Sequence, residues 1–338
     1  PFSAYIPPVE TAEFERSTTG TFGGLGIWIG VDKGQIVVIS PIEGTPAWNA
    51  GILPDDRVLS VDGVLCNFES VEQAVGKLKG EVGSKVELQI ARAGEEGTQT
   101  LEVERARIQI RSVKGGRILD PTTKVGYLRV TTFNAGTYPE VKEGVEQLLA
   151  EGMRGLILDL RKNPGGLLDQ AVRVANLWLP DDAVILSTWS REQAIERGEK
   201  RASIGAEADE FPDAGYQHTV ANSVHTLTIP TVVLIDGGSA SASEVLAGAL
   251  QDHEQARLIG TRSYGKGSVQ TIISLQGGKA AFKLTTQYYF TPKRRRIHRG
   301  SLPKTDLSWG LLPDQEVTLT KEEDERLQQQ ERDFELAM

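Results

Sequence analysis

Two short stretches carry residue types able to do covalent chemistry: GGSASASEVLAGAL over residues 237–250 and GTRSYGKGSVQ over residues 260–270. The first presents serines where a strand turns into a helix. The second sets Lys266 in a glycine-flanked turn. A serine hydroxyl holds almost no alkoxide at neutral pH, so it attacks a carbonyl only when a neighbouring base takes its proton. A desolvated lysine can be that base, provided it is neutral. With an ordinary pKa of about 10.4, only roughly 0.1% of a lysine is neutral near pH 7.5. Lowering that pKa by ~2–3 units costs ~3–4 kcal/mol, a shift that burial can impose. Tyr264 and the neighbouring sheet are the expected walls of such a pocket.

The residues alone leave the choice among Ser239, Ser241 and Ser243 open. Ser241 followed by Glu244 fits a capping box, which is a purely structural use of a serine. The same helix start also favours a developing oxyanion through its dipole, and the amide of Ala242 would point at that charge. The NPGG run at 163–166 reads either as a turn closing a strand or as a second source of a backbone N–H. Glycine lets that donor approach with no side chain in the way.

Other chemistries fit less well. Residues 260–266 match most of the phosphate-loop pattern G-x-x-x-x-G-K-[S/T], but Gly267 has no hydroxyl for magnesium. The following SVQTIISL reads as a strand, whereas a phosphate loop must open a helix. Among His218, His225, His253 and His298, only His253 lies near a motif. It sits in QDHEQ, a polar helix end that reads as exposed, so a Ser–His–Asp triad has no support. No H-E-x-x-H and no cysteine cluster exist, so neither a metal nor another cofactor is expected.

These motifs need a scaffold, and the pattern of the chain supplies one. GLILDL (155–160) and TVVLI (231–235) are continuous apolar runs, as in strands buried on both faces. Each is followed by a glycine loop and a helix pattern, LDQAVRVANLWL and SEVLAGALQD. Together with VGYLRVTTF, the helix TYPEVKEGVEQLLAEG and RLIG at 257–260, this alternation predicts an α/β core with a mostly parallel sheet and crossover helices. Sites in such sheets form at the carboxyl ends of the strands, where both glycine loops fall. Ahead of this core, residues 23–110 read as a small α+β domain. It holds two strands over 24–40, short helices at 46–53 and 70–79, and further strands in DDRVLSVDG and SKVELQIAR. Residues 1–22 are expected to pack on the core through Phe2, Tyr5 and Ile6. Residues 190–224 read as an insertion in a core spanning 111–317, and 318–338 as a charged helical tail with Thr320 and Glu323 as a capping box.

The chain has 338 residues, a formal net charge of −9 and one cysteine, Cys66. The negative charge argues against nucleic acid as a partner. A single cysteine allows no intrachain disulfide and leaves the redox compartment open. The chain begins at Pro1 rather than a methionine, and a processed or trimmed chain that has lost a signal peptide or membrane anchor is the expectation.

In combination and in order, these segments resemble the carboxyl-terminal processing proteases, or tail-specific proteases, of serine peptidase family S41. The likeness runs over residues 20–317, from GLGI (24–27) and PAWNAGILPDDRVLSVDG (46–63) through LILDLRKNPGGLLDQAV, GGSASASEVLAGALQD and IGTRSYGKGSVQ to KLTTQYYFTP. The resemblance implies a crotonase-like (ClpP/crotonase) core preceded by a PDZ domain. It implies Ser241 as nucleophile, Lys266 as general base and Gln270 as the residue orienting the lysine. Were Lys266 and Gln270 on one strand, they would share a face. Oxyanion donors would be the amides of Gly166, with Gly165 as the alternative, and Ala242. Leu25, Gly26 and Ile27 of the PDZ domain would hold a C-terminal carboxylate while the peptide adds as a strand beside the 70–79 helix. The implied partners are protein or peptide substrates with apolar C-termini, with a homo-oligomer or an adaptor protein as further options. The implied location is extracytoplasmic, periplasmic or membrane-associated. A non-catalytic PDZ scaffold and a crotonase-like acyl-CoA enzyme are the alternatives. The long 190–224 segment and the enlarged 294–317 link depart from the family pattern.

Overall fold

The computed structural model describes residues 3–8, 18–109, 111–190, 217–222, 226–275, 277, 280–300 and 308–337. The chain divides into two compact units, Thr21–Ile110 and a larger one formed by Pro1–Gly20 with Arg111–Met338.

In the smaller unit, strands run in the order Ile27–Asp32, Gln35–Pro41, Arg57–Val61, Lys85–Ala91, Gln99–Glu104, all antiparallel. The sequence KVELQIA alternates apolar and polar residues, and Val86, Leu88 and Ile90 duly face the core. The Val71–Leu78 helix starts at Ser70, whose Oγ accepts the Gln73 N–H at 3.4 Å. It packs against the Ile27–Asp32 strand, which is the edge of the sheet. Asp56 is wholly buried, and Arg92 reaches both of its carboxylate oxygens at 2.8 Å. A buried carboxylate needs such a partner to remain charged.

The larger unit holds two sheets. One has six strands in the order Val113–Asp120, Val125–Val130, Gly155–Asp159, Thr231–Ile235, Ala256–Gly260, Gln315–Glu316. Its first pair is antiparallel and every later pair parallel. Helices Thr137–Ala150, Leu168–Ala175 and Ala242–Asp252 make the crossovers that parallel pairing demands. Leu156, Leu158, Val233, Ile235 and Leu258 are buried, whereas Ile157, Val232 and Leu234 between them are only half-buried, so one face of these strands is closed less fully than the apolar runs suggest.

The second sheet is antiparallel throughout and contains Ala4–Ile6, Val184–Ser190, Gln217–Val220, Ser268–Leu275 and Ala280–Phe290. The core is therefore not one mainly parallel sheet. Ser268–Leu275 and Ala280–Phe290 follow each other too closely for a crossover, so they can only fold back as a hairpin. Ile6 is buried and its strand pairs with Ala281–Lys283, but Tyr5 is exposed on the other face of that strand rather than packed, and the expected packing of Phe2 lies outside the described residues. Most of the expected 190–224 insertion also lies outside them, but Gln217–Val220 is a strand of this sheet. The C-terminal helix Lys321–Ala337 carries the predicted capping box, with the Thr320 N–H donating to Glu323 at 2.8 Å and the Glu323 N–H to Thr320 Oγ1 at 3.3 Å. Among the described residues no helix is long and apolar enough to cross a membrane.

Candidate active site

The serine loop follows the Thr231–Ile235 strand and begins with Asp236. Its carboxylate accepts the N–H groups of Gly238 at 2.9 Å and Lys162 at 2.8 Å, which pulls the two strand-end loops together. A side chain on Gly238 would meet the Lys162 backbone at 2.8 Å, so only glycine allows this approach.

The structure separates the three serines. Ser239 is buried and donates to the Leu160 carbonyl at 2.8 Å. Ser243 is buried and donates to the Asn163 carbonyl at 3.0 Å. Both hydroxyls are thus spent on the neighbouring loop. Ser241 is half-exposed at the start of the Ala242–Asp252 helix, with φ 56° and ψ −115°. A non-glycine residue rarely adopts such a backbone, and the surroundings must over-determine it. The Glu244 side of the capping box is formed: its Oε2 accepts the Ser241 N–H at 2.8 Å.

The NPGG loop lies directly against this turn. A Cβ on Gly165 would stand 2.6 Å from the Ala240 carbonyl oxygen and 2.9 Å from the Ala242 nitrogen. Asn163, fully buried, builds the loop. Its Oδ1 accepts the Gly165 N–H at 2.9 Å, its Nδ2 donates to the Val130 carbonyl at 2.8 Å, and its own carbonyl accepts the Ala240 N–H at 3.0 Å. The Gly165 N–H is therefore taken. Among the described residues, the N–H groups of Gly166 and Ala242 donate to no protein acceptor. Gly166 carries φ 145° and presses on Phe133, whose oxygen would lie 2.1 Å from an added Cβ.

The lysine loop leaves the Ala256–Gly260 strand and closes on the same carboxylate. Glu244 Oε1 accepts from Ser263 Oγ at 2.6 Å and from the Gly265 N–H at 2.7 Å, while Oε2 accepts the Lys266 N–H at 2.8 Å. Four donors converge on one buried carboxylate. Burial nevertheless pushes its pKa above the ordinary range, with the hydrogen bonds opposing. The Tyr289 hydroxyl reaches the carbonyls of both Ser241, at 3.0 Å, and Lys266, at 2.5 Å.

Lys266 is half-buried, and its pKa is lowered from 10.5, first by burial and then by the charge of Lys283, with Glu244 opposing. Tyr264, expected as one wall of the lysine pocket, is 48% exposed, and its N–H donates to the Ser239 carbonyl at 2.9 Å. Lys266 also precedes the strand that begins at Ser268, and the register slips between Val269 and Gln270. The period-two argument for a shared face with Gln270 therefore does not apply. The Gln270 amide nitrogen donates to Ser268, at 2.9 Å to Oγ and 3.1 Å to the carbonyl. Residues after Lys266 form a strand rather than a helix, so the phosphate-loop geometry is absent there. His253 is half-buried rather than exposed, and its Nε2 lies 2.7 Å from the Val184 carbonyl.

In the smaller unit, Leu25 is buried and its carbonyl accepts the Ala47 N–H at 2.9 Å. Gly26 has φ 78°, and a Cβ there would strike the Thr45 side chain at 2.3 Å. Its carbonyl accepts Ile42 N–H at 2.8 Å and Thr45 Oγ1 at 3.0 Å. Ile27 opens the edge strand beside the Val71–Leu78 helix.

Sequence reasoning missed Asn163 and Tyr289 and gave Glu244 only a capping role. Their residue types carry no signal, because each works through loops distant in the chain.

A strand-end serine, a half-buried lysine and two amides with no protein acceptor among the described residues lie on adjoining loops of an α/β core. Residues 124–317 match peptidase family S41, and residues 37–92 match the PDZ domain. The chain belongs to peptidase family S41 and carries a PDZ domain. It is 34% identical over 323 residues to a carboxyl-terminal-processing protease of Synechocystis sp., covering 94% of this chain and 70% of that protein. It is 36% identical over 301 residues to a carboxy-terminal-processing protease of Bartonella bacilliformis, covering 88% of this chain and 64% of that protein. A solved photosystem II D1 C-terminal processing protease is 29% identical, with a TM-score of 0.49, covering 94% of this chain and 78% of that chain.

Proposed function

We propose that this protein is a Ser–Lys endopeptidase that cuts near the C-terminus of protein substrates. The observation that carries the reading is the shared acceptor: Glu244 Oε2 takes the backbone N–H of both Ser241 and Lys266 at 2.8 Å. The two backbone nitrogens can then be no farther apart than those two bonds laid end to end. A lysine whose charged form is penalised stands beside a serine on a strained turn.

The neutral Lys266 amine takes the Ser241 Oγ proton as Oγ bonds to the scissile carbonyl carbon. Negative charge develops on the carbonyl oxygen, and the N–H groups of Gly166 and Ala242 receive it. The ammonium returns the proton to the leaving nitrogen as the C–N bond breaks, which leaves an acyl-enzyme. Water then attacks that ester, again giving its proton to Lys266, and Ser241 recovers a proton as the ester bond breaks. Gln270 orients the amine; its amide nitrogen is spent on Ser268, so its carbonyl oxygen is the acceptor for a lysine proton. The core in this reading is crotonase-like.

Substrate choice lies with the PDZ domain. Amides of Leu25, Gly26 and Ile27 hold the terminal carboxylate, and the tail adds to the edge strand at Ile27–Asp32 with apolar side chains toward the helix. The relatives named for carboxyl-terminal processing support this substrate class. An extracytoplasmic location, periplasmic or membrane-associated, is part of this proposal.

The test is cleavage of an unfolded protein with an apolar tail by wild type and by Ser241→Ala. Wild type should release a short C-terminal fragment and the variant none. Equal absence of cleavage would favour a tail-binding scaffold, and turnover of an acyl-CoA thioester that survives Ser241→Ala would favour an acyl-CoA enzyme.

A further inference from the structure

Tyr289 lies in the Ala280–Phe290 strand, 2% exposed, with its N–H donated to the Gly267 carbonyl at 3.0 Å. Burial holds its phenol well above the ordinary pKa, so it stays a neutral donor. Its one proton faces two carbonyls, those of Ser241 at 3.0 Å and Lys266 at 2.5 Å.

The Ser241 carbonyl belongs to the same planar trans peptide as the Ala242 N–H. In that unit the C=O and N–H point in opposite directions, so fixing the carbonyl aims the amide. The Ser241 carbonyl accepts the Val245 N–H at 3.0 Å as well as the Tyr289 hydroxyl. The helix bond alone is made at the start of any helix. The second donor comes from the other sheet and sits where the backbone has left the allowed region. A hydrogen bond accepted at the carbonyl also polarises the peptide and strengthens its N–H as a donor.

We propose that Tyr289 is a positioning residue for acyl transfer: its hydroxyl, laid across the carbonyls of Ser241 and Lys266, holds the Ser241–Ala242 peptide with its N–H aimed at the oxyanion. The proposal rests on the Ser–Lys reading above. It assigns the phenol no proton transfer and no contact with substrate. Its effect belongs to the transition state, where charge reaches the oxygen that Ala242 faces, and not to ground-state binding.

The experiment compares wild type and Tyr289→Phe on a peptide ester and on the thionoester of the same peptide, whose sulfur is a poor acceptor of N–H groups. Tyr289→Phe should lose about 10- to 100-fold in kcat on the oxygen ester, with KM changed less than about 3-fold. On the thionoester the loss should be much smaller, so the preference for oxygen over sulfur shrinks. Wild-type kcat on the ester would overturn the proposal, as would an equal loss on both substrates, which is what general loosening of the loops predicts. Ser241→Ala and Lys266→Ala run alongside; if either keeps near-wild-type turnover, the Ser–Lys reading itself has failed, whatever Tyr289→Phe shows. Should Tyr289→Phe not fold, a structure of the wild-type enzyme with a peptide aldehyde on Ser241 decides the matter. The adduct oxygen should lie ~2.7–3.1 Å from the Ala242 nitrogen with the Tyr289 contact intact. An oxygen turned away from Ala242 would refute the assignment.

Discussion

The backbone N–H groups of Ser241 and Lys266 donate to the same oxygen, Glu244 Oε2, each at 2.8 Å. Two loops that follow different strands are thereby held at one buried atom. The side chains proposed for chemistry are left out of this clamp, so backbone position and side-chain reactivity are set separately.

Glu244→Gln should break that clamp. A glutamine offers one acceptor oxygen and brings an NH₂ group to face N–H donors. The loss of stability should be about 2–3 kcal/mol, because buried donors are left unsatisfied. Turnover should fall about 100-fold through misplacement of the reacting groups. Denaturant unfolding and single-substrate kinetics measure the two effects, and wild-type turnover in a folded variant would refute the clamp.

Activity should rise with pH through an apparent pKa below the 10.5 of an ordinary lysine, since burial disfavours the Lys266 ammonium. Stability follows the same shift. With the folded pKa depressed, the unfolded chain binds more protons between the folded value and 10.5, so stability increases with pH across that window. Lys266→Met, inactive, should be more stable than wild type at neutral pH, and the gap should close toward pH 10.5. Thermal melts of both proteins across pH check the sign.

The three serines should part company on mutation. Ser239→Ala and Ser243→Ala each remove a buried hydrogen bond, costing about 1–2 kcal/mol, while much of the turnover survives. Ser241→Ala should abolish turnover with little change in stability. Ser241→Gly should abolish turnover and raise stability by about 1 kcal/mol, because glycine tolerates φ 56°. Melting temperature plotted against activity separates the cases, and a destabilised Ser241→Gly would contradict the strain.

His298 is 6% exposed, and its pKa is lowered to about 4 by burial and then by the charge of Arg296. Its ring meets Tyr288 edge-on at 4.9 Å between centroids. The unfolded chain takes up this proton near pH 6.5 and the folded chain near 4, so acidification across that range should cost up to about 3 kcal/mol. His298→Asn should flatten the acid limb of a stability profile; an unchanged slope would show that His298 does not titrate this way.

Gly26→Ala should disable tail binding while catalysis of a short ester continues. The added methyl meets Thr45 at 2.3 Å in a backbone with φ 78°. Affinity for an apolar tail peptide, measured by calorimetry on the whole chain, should fall more than about 10-fold if a carboxylate sits on these amides. Unchanged affinity would remove Leu25, Gly26 and Ile27 from the proposed peptide site.

Much of the scaffold was legible in the chain. GLILDL and TVVLI announce buried strands, the glycine runs after them announce loops at strand ends, and KVELQIA shows a half-buried strand by alternation. These signals are local, because periodicity and turn chemistry act over a few residues. The second sheet was not legible as a sheet: SVQTIISL reads as a strand, but nothing within it names Ala280–Phe290 and Ala4–Ile6 as members of the same layer.

The sequence by itself determined the reactive types, a serine at a helix start and a lysine between glycines, and the order of strands and helices that must carry them. Only the tertiary structure decided which serine keeps an unspent position, since Ser239 and Ser243 are consumed by carbonyls 79 and 80 residues away. It alone decided that Asn163 takes the Gly165 amide, that Tyr264 stays half exposed, and that Glu244 and Tyr289 bind both loops. The reason is physical: a hydrogen bond or a loss of solvent depends on what arrives from elsewhere in the chain, and no spacing along it records that arrival.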